Sequence, residues 1–219
     1  FWFVIGFAVL TSCLLYLTLE KEASGTRLSK KGSFMSSFRE ISHILVPMAG
    51  VLSARALMHG AMGVFLTVYV ENRTGSLWYG GAALALYETA GVAGVLSMGT
   101  ISDWIGRKKV LLWVSSAAPL SILAFVWTSG WIQGAMLLLT GFCVLATTPV
   151  MLAIVQENAS ENPSAANGHF MMVSFIVRSA AVFIVGVIGD LAGMENMFII
   201  SACIGFLAIP FLLRIDLSG

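Results

Sequence analysis

Four ionisable side chains stand well inside long apolar runs, away from their ends. Arg55 and His59 lie in the run about 43–70, Glu88 mid-way along about 78–102, and Arg178 mid-way along about 168–191. Charge at the depth of a lipid bilayer is costly, so each is a candidate for a working role. Arg55 and His59 are four residues apart, which sets them one turn apart on one helical face with Met48, Leu52 and Met62. A carboxyl such as Glu88 can take up and release a proton as an arginine partner comes and goes. Held permanently by Arg55 or Arg178, it would instead fix helix packing. The arginines can fork onto an anionic group or serve Glu88 as counter-ions. Two arginines against one carboxylate leave a local positive excess, which favours an anionic or amphiphilic substrate. His59 either shares the proton path or is a satisfied packing histidine.

A second cluster, Gly99-Thr-Ile-Ser-Asp103-Trp-Ile-Gly106-Arg107-Lys108-Lys109, separates two apolar runs. A connection this short reverses one membrane helix into the next at the water boundary. Gly106 permits the tight backbone, and Asp103 is expected to cap the following helix. Arg107, Lys108 and Lys109 hold the turn on the cytoplasmic side. Asp103 and Arg107 suit gating better than substrate binding, and Arg107 is expected to reach Glu157 at the inner end of a later helix. A purely topological role for the basic turn is the other reading.

These groups must be positioned by membrane helices. Of the 219 residues, 58% are hydrophobic and 11% charged, against about 25% charged in soluble domains. Seven stretches approach the ~20 apolar residues a span requires: about 2–19, 43–70, 78–102, 109–128, 131–156, 168–191 and 196–214. The bilayer makes each a helix, because an unpaired strand edge has no partner in lipid. The fold class is therefore an all-α polytopic membrane protein with seven transmembrane helices. Phe1-Trp2-Phe3 has no basic leader, and Phe1 to Leu19 reads as a span cut from a longer protein.

Residues 20–41 form the long polar stretch, a basic linker with a short amphipathic helix expected around Phe34 to Phe38. With that linker cytoplasmic, Lys21, Arg27, Lys30, Lys31, Arg39, Arg107, Lys108, Lys109 and Arg214 are all inside. Arg73 is outside, and Arg55 and Arg178 lie within spans, which accounts for all 12 basic residues. The inside connection 156–167 is acidic and goes against the trend. Trp127-Thr-Ser-Gly-Trp131 is a tight turn flanked by interfacial aromatics, and Trp78 and Tyr79 mark the same surface. Pro149, after Thr147 and Thr148, is a kink candidate, and glycines 80, 81, 91, 94 and 99 offer small faces for close helix packing.

The spacing Gly-x-x-x-Asp-x-x-Gly-Arg-Lys, carried by Gly99, Asp103, Gly106, Arg107 and Lys108, resembles the signature loop of the major facilitator superfamily. Trp104 stands where that family usually has a basic residue. The resemblance implies that residues 1–19 are the last helix of an N-terminal bundle, 20–41 the cytoplasmic linker and 42–219 the six-helix C-terminal bundle. It also implies that the second, third, fifth and sixth spans line a central cavity, the helices that carry Arg55, His59, Glu88 and Arg178. Gly91-Val-Ala-Gly94 and Gln156-Glu157-Asn158 look most like bacterial drug-efflux members, with the fosmidomycin-resistance group as the narrower likeness.

The function implied is secondary active transport, with proton-coupled efflux of a small organic or anionic compound by alternating access. Uptake of a small metabolite and a non-transporting membrane scaffold are the competing readings. An enzyme is not expected, since no His-Glu-x-x-His, paired aspartates or Ser/His spacing occurs. Cys13, Cys143 and Cys203 sit in apolar runs with no metal-ligand spacing. No metal, cofactor or nucleic acid is expected; a proton gradient supplies the energy. The expected partners are the lipid bilayer, a small-molecule substrate and the other half of the carrier, in a cell (inner) membrane, with the linker and C-terminus cytoplasmic. Alone, this half is not expected to transport, because the site forms between two bundles.

Overall fold

The computed structural model describes residues 34–159 and 163–214, in which helix follows helix and no strand occurs. The first helix, α1 (Phe34–Gly60), passes through a π-helical turn (Ala61–Phe65) into α2 (Leu66–Thr74). Then come α3 (Leu77–Ile105), α4 (Arg107–Trp127), α5 (Gly130–Glu157), α6 (Pro163–Ala192), α7 (Met194–Gly205) and α8 (Ala208–Arg214). Length and composition give six membrane-capable rods among the described residues: Ile44–Thr74, Leu77–Ile105, Arg107–Trp127, Gly130–Glu157, Ser164–Ala192 and Met194–Arg214. The span expected at 2–19 lies outside the described residues.

Three expectations need correction. The segment Phe34–Phe38 is no separate surface helix. It is the first turn of α1, which starts inside the stretch read as linker and runs unbroken to Gly60. The last span is not one helix either. Pro210 has no N–H to offer the Phe206 carbonyl, and its ring crowds that oxygen. The chain accordingly tightens just upstream, where the amides of Phe206 and Leu207 bond three residues back, to Cys203 (3.3 Å) and Ile204 (2.9 Å). Third, the span expected at 43–70 runs a turn further, to Thr74, and stops at Gly75. That glycine takes φ +71°, a left-handed conformation, and donates its N–H to the Glu71 carbonyl at 2.7 Å.

Among the described residues α3 and α5 make the most extensive helix pairing. Glycine makes it possible. A Cβ on Gly94 would fall against the Phe142 carbonyl, one on Gly141 against the Tyr87 carbonyl, and one on Gly91 against the Leu145 side chain. Gly80 meets the Thr67 carbonyl in the same way, at 2.5 Å from a Cβ, so α3 also lies tight on α2. Gly81 and Gly99 have open space instead and take no part in close packing among the described residues. The α4–α5 contact is pinned by the Thr140 hydroxyl, which donates to Ser121 Oγ at 2.9 Å with both residues buried. Nearer the tryptophan end, Tyr69, Phe125 and Phe198 pack ring against ring, with Tyr69 edge-on to Phe198 at 5.0 Å between centroids.

Trp78, Tyr79, Trp127 and Trp131 are exposed at one end of the bundle, as amphipathic rings are at a headgroup layer. Coverage of the rods is uneven. The apolar windows of α3 and α6 are 17% and 11% buried, against 56% for α4 and α5. Glu88 and Arg178 thus ride on the two least covered helices.

Candidate functional site

An open cavity of about 450 Å³ lies among α1, α3, α5 and α6. Its wall includes Arg55 and His59 from α1, Glu88 from α3 and Arg178 from α6. The structure therefore brings all four ionisable residues singled out within the spans to one place. Apolar Val95, Leu145 and Leu152 and the Thr148–Pro149 pair complete it. Residues seven apart on one helix, such as Glu88 and Val95 or Leu145 and Leu152, share a face, so two turns of α3 and of α5 front the space.

His59 is the hub. It is 8% exposed, with Nδ1 at 3.0 Å from the Tyr87 hydroxyl and Nε2 at 2.7 Å from Arg178 Nη2. A guanidinium only donates, so Nε2 must be the bare acceptor nitrogen. The imidazole is then neutral, with its proton on Nδ1 and donated to the Tyr87 oxygen. The chain Arg178–His59–Tyr87 ties α6 to α1 and α1 to α3. Directly after His59, Gly60 begins the passage into the π turn, a local widening frequent at functional sites.

Arg55 is held differently. Its Nε–H donates to the Val144 carbonyl of α5 at 3.0 Å. The Thr147 hydroxyl donates to the same oxygen at 2.8 Å. This carbonyl neighbours that of Leu145, which Pro149 leaves without its usual helical donor. The proline thus marks the stretch of α5 where side chains reach backbone oxygens.

Glu88 forms no ion pair with Arg55 or Arg178 among the described residues, so the permanent pair considered from the sequence is not made in this structure. The geometry of α3 accounts for it. Tyr87 points into the bundle at His59 with none of its surface exposed, and the next residue is turned about 100° around the helix. Glu88 is left on the cavity wall, half-buried, facing the space between the arginines' helices.

A second polar cluster stands at the end of the bundle where α3, α4 and α5 meet. Arg107, the first residue of α4, places Nη2 at 3.1 Å from Asp103 Oδ1 and 2.6 Å from Glu157 Oε1. The arginine side chain is 21% exposed, and the carboxylates 55% and 56%. Asp103 does not cap α4: it lies in the last turn of α3, and the residue before α4 is Gly106, with no side-chain cap. Gly106 takes φ +102°, which only glycine adopts without strain, and this lets the chain reverse in one residue. Lys108 follows in the first turn of α4, partly exposed, and Gly99 stands one turn before Asp103 with open space beside it.

Tyr87 and the Val144 carbonyl are the site elements that sequence reasoning missed. A tyrosine in an apolar helix reads as packing, and a backbone oxygen has no sequence signal. The place of Tyr87 directly before Glu88, in a helix rich in small residues, was the available hint. The family model described as Major Facilitator Superfamily matches residues 1–182. No curated protein matches the chain.

Proposed function

The chain belongs to the major facilitator superfamily, and from that premise we propose that it serves proton-coupled efflux of a small organic compound by alternating access. It is a multi-pass membrane protein of a transporter family, with six membrane-capable helices among the described residues. One observation carries the finer reading: Arg55, His59, Glu88 and Arg178 line a single cavity bounded by four helices. In this reading Glu88 exchanges the proton, since it is the carboxylate on the cavity wall and forms no ion pair with either arginine among the described residues. Arg55 and Arg178 present charge to the substrate, and neutral His59 holds Arg178 in place. Gly99, Asp103, Gly106, Arg107, Lys108 and Glu157 form the gate at the cytoplasmic end, closed while Arg107 bridges α3, α4 and α5 and opened when the halves rock. The drug-efflux assignment rests on the phrases around Gly91–Gly94 and Gln156–Asn158. The bilayer in question is the cell membrane, with the 20–41 linker and the C-terminus inside.

The test is transport by the full-length carrier, with both bundles, in liposomes carrying an imposed pH gradient, with a panel of antibiotics and small organic acids. Glu88→Gln is expected to abolish the gradient-driven component while insertion stays normal. Undiminished coupled transport by that variant would remove Glu88 from the proton path.

A further inference from the structure

The cavity's charge indicates its cargo. Arg55 donates Nε–H to the Val144 carbonyl and Arg178 donates Nη2–H to His59 Nε2. Both acceptors are neutral. Among the described residues no carboxylate lies within ion-pairing distance of either guanidinium, although Arg107 of the same chain engages two. Arg55 is partly buried and Arg178 exposed on the cavity wall, and arginine within a membrane span costs ~2.5–3.5 kcal/mol or more. Here each guanidinium is oriented by one bond to the protein. The rest of its planar fork of five N–H groups has no protein acceptor among the described residues, and the fork matches carboxylate or phosphoryl oxygens. His59 adds no charge, because it accepts from Arg178. Glu88 balances one arginine, so the wall carries a net single positive charge when that carboxyl is ionised.

The rest of the wall is oily. Val95, Leu145 and Leu152 face the same space, and about 450 Å³ falls within the ~300–1,000 Å³ range of small-molecule sites. We propose that the cavity binds a small organic anion, its carboxylate or phosphonate head between Arg55 and Arg178 and its apolar body along α3 and α5. The inference rests on the transport reading, since it names the cargo of that same cavity. A soluble organic acid and the headgroup of an anionic lipid share this chemistry, and the probes below separate the two.

The experiment measures thermal stabilisation of the purified protein in uncharged detergent. The probes are phenylbutyrate, phenylphosphonate, phenylbutylamine, phenylbutanol and a short-chain phosphatidylglycerol. Saturable stabilisation by the two acids, with little from the amine or the alcohol, is expected. Arg55→Gln and Arg178→Gln should each weaken binding of the acids by ~10-fold or more, the scale of a lost charge-assisted hydrogen bond. Failure of both acids to stabilise the protein overturns the proposal, whatever the other probes do. Equal stabilisation by the amine or the alcohol overturns it too, as does undiminished acid binding in both variants. Stabilisation by the lipid alone assigns the arginines to a headgroup and overturns it as well. Proton-driven flux is scored separately. Flux of other compounds without acid binding removes this inference alone, whereas acid binding without any driven flux upholds the site and removes the transport reading.

Discussion

Arg107 and the pair Arg55 and Arg178 are the same residue type in opposite circumstances. At the end of the bundle Arg107 is clasped by Asp103 and Glu157, both more than half exposed. In the cavity Arg55 and Arg178 hold only a backbone carbonyl and a neutral imidazole. There the protein neutralises its own arginine, and the cluster ties three helices together. Within the spans, by contrast, two guanidiniums have no carboxylate partner among the described residues, Arg55 partly buried and Arg178 exposed on the cavity wall. In the proposed reading the first cluster is a latch and the second is a site for something that arrives.

The sharpest way to break that contrast is to remove the charges one region at a time. Arg55→Leu and Arg178→Leu should each lower driven flux by ~10- to 100-fold, from ~1.5–3 kcal/mol of lost charge-assisted bonding to the cargo. The melting temperature of the empty protein should hold or rise, since an unpaired cation has left the membrane interior. Arg107→Leu should behave in the reverse sense, with modest flux loss and a slightly lower melting temperature. If the cavity variants melt well below the parent, the arginines are structural after all and the two regions do not differ in kind.

The glycines separate the regions in another way. Gly141 lies against the Tyr87 carbonyl and Gly94 against that of Phe142, so neither backbone can yield cheaply to a side chain. Gly141→Val should cost ~1–3 kcal/mol by overpacking the α3–α5 contact, read as a lower melting temperature. Cargo binding should fall with it, because α3 carries Tyr87 and Glu88. Gly99→Val, with open space around it, should leave both unchanged.

The hub gives a finer test. His59→Ala removes the acceptor that orients Arg178 and should weaken organic-acid binding by ~3- to 10-fold, for a net hydrogen bond of ~0.5–1.5 kcal/mol. His59→Gln, whose amide oxygen can accept from the guanidinium, should recover part of that loss. Equal affinity in the two variants would mean that Arg178 needs no holding.

Much of this arrangement was legible in the chain itself. Long apolar runs fixed the helical class, since lipid permits no open strand edge. The i,i+4 spacing set Arg55 with His59 on a common face, and the reach of Arg107 to Glu157 was expected from the loop. Whether Glu88 meets an arginine was not legible, because that depends on how α1, α3 and α6 are rotated about their axes, which the glycine contacts between α3 and α5 help to set. The π turn after His59 was hidden too, because no proline marks it in the chain. The break at Phe206 could have been read from Pro210, but a proline early in a helix is compatible with either a new start or a continued span.

The smallest effect belongs to the latch, and it sharpens the comparison most. Glu157→Gln leaves the helices intact and removes one of the two acidic partners of Arg107. An ion pair as exposed as this contributes ~0.2–1 kcal/mol, so the balance between gate-closed and gate-open forms should move by about 1.4- to 5-fold. The shift should shrink as salt rises, because the pair lies within reach of screening ions. Thiol labelling of a cysteine introduced at Ser102, which is buried beside the turn, reads that balance directly. Faster labelling at low salt, converging on the parent at high salt, identifies a latch. Arg55, partly buried and bonded to the Val144 carbonyl, predicts a weaker dependence, since partly buried charges are screened less: Arg55→Leu should change cargo binding by a factor that varies little with ionic strength. A latch variant insensitive to salt would mean that Arg107 is locked by packing, and Asp103 and Glu157 would then be scaffolding for the turn.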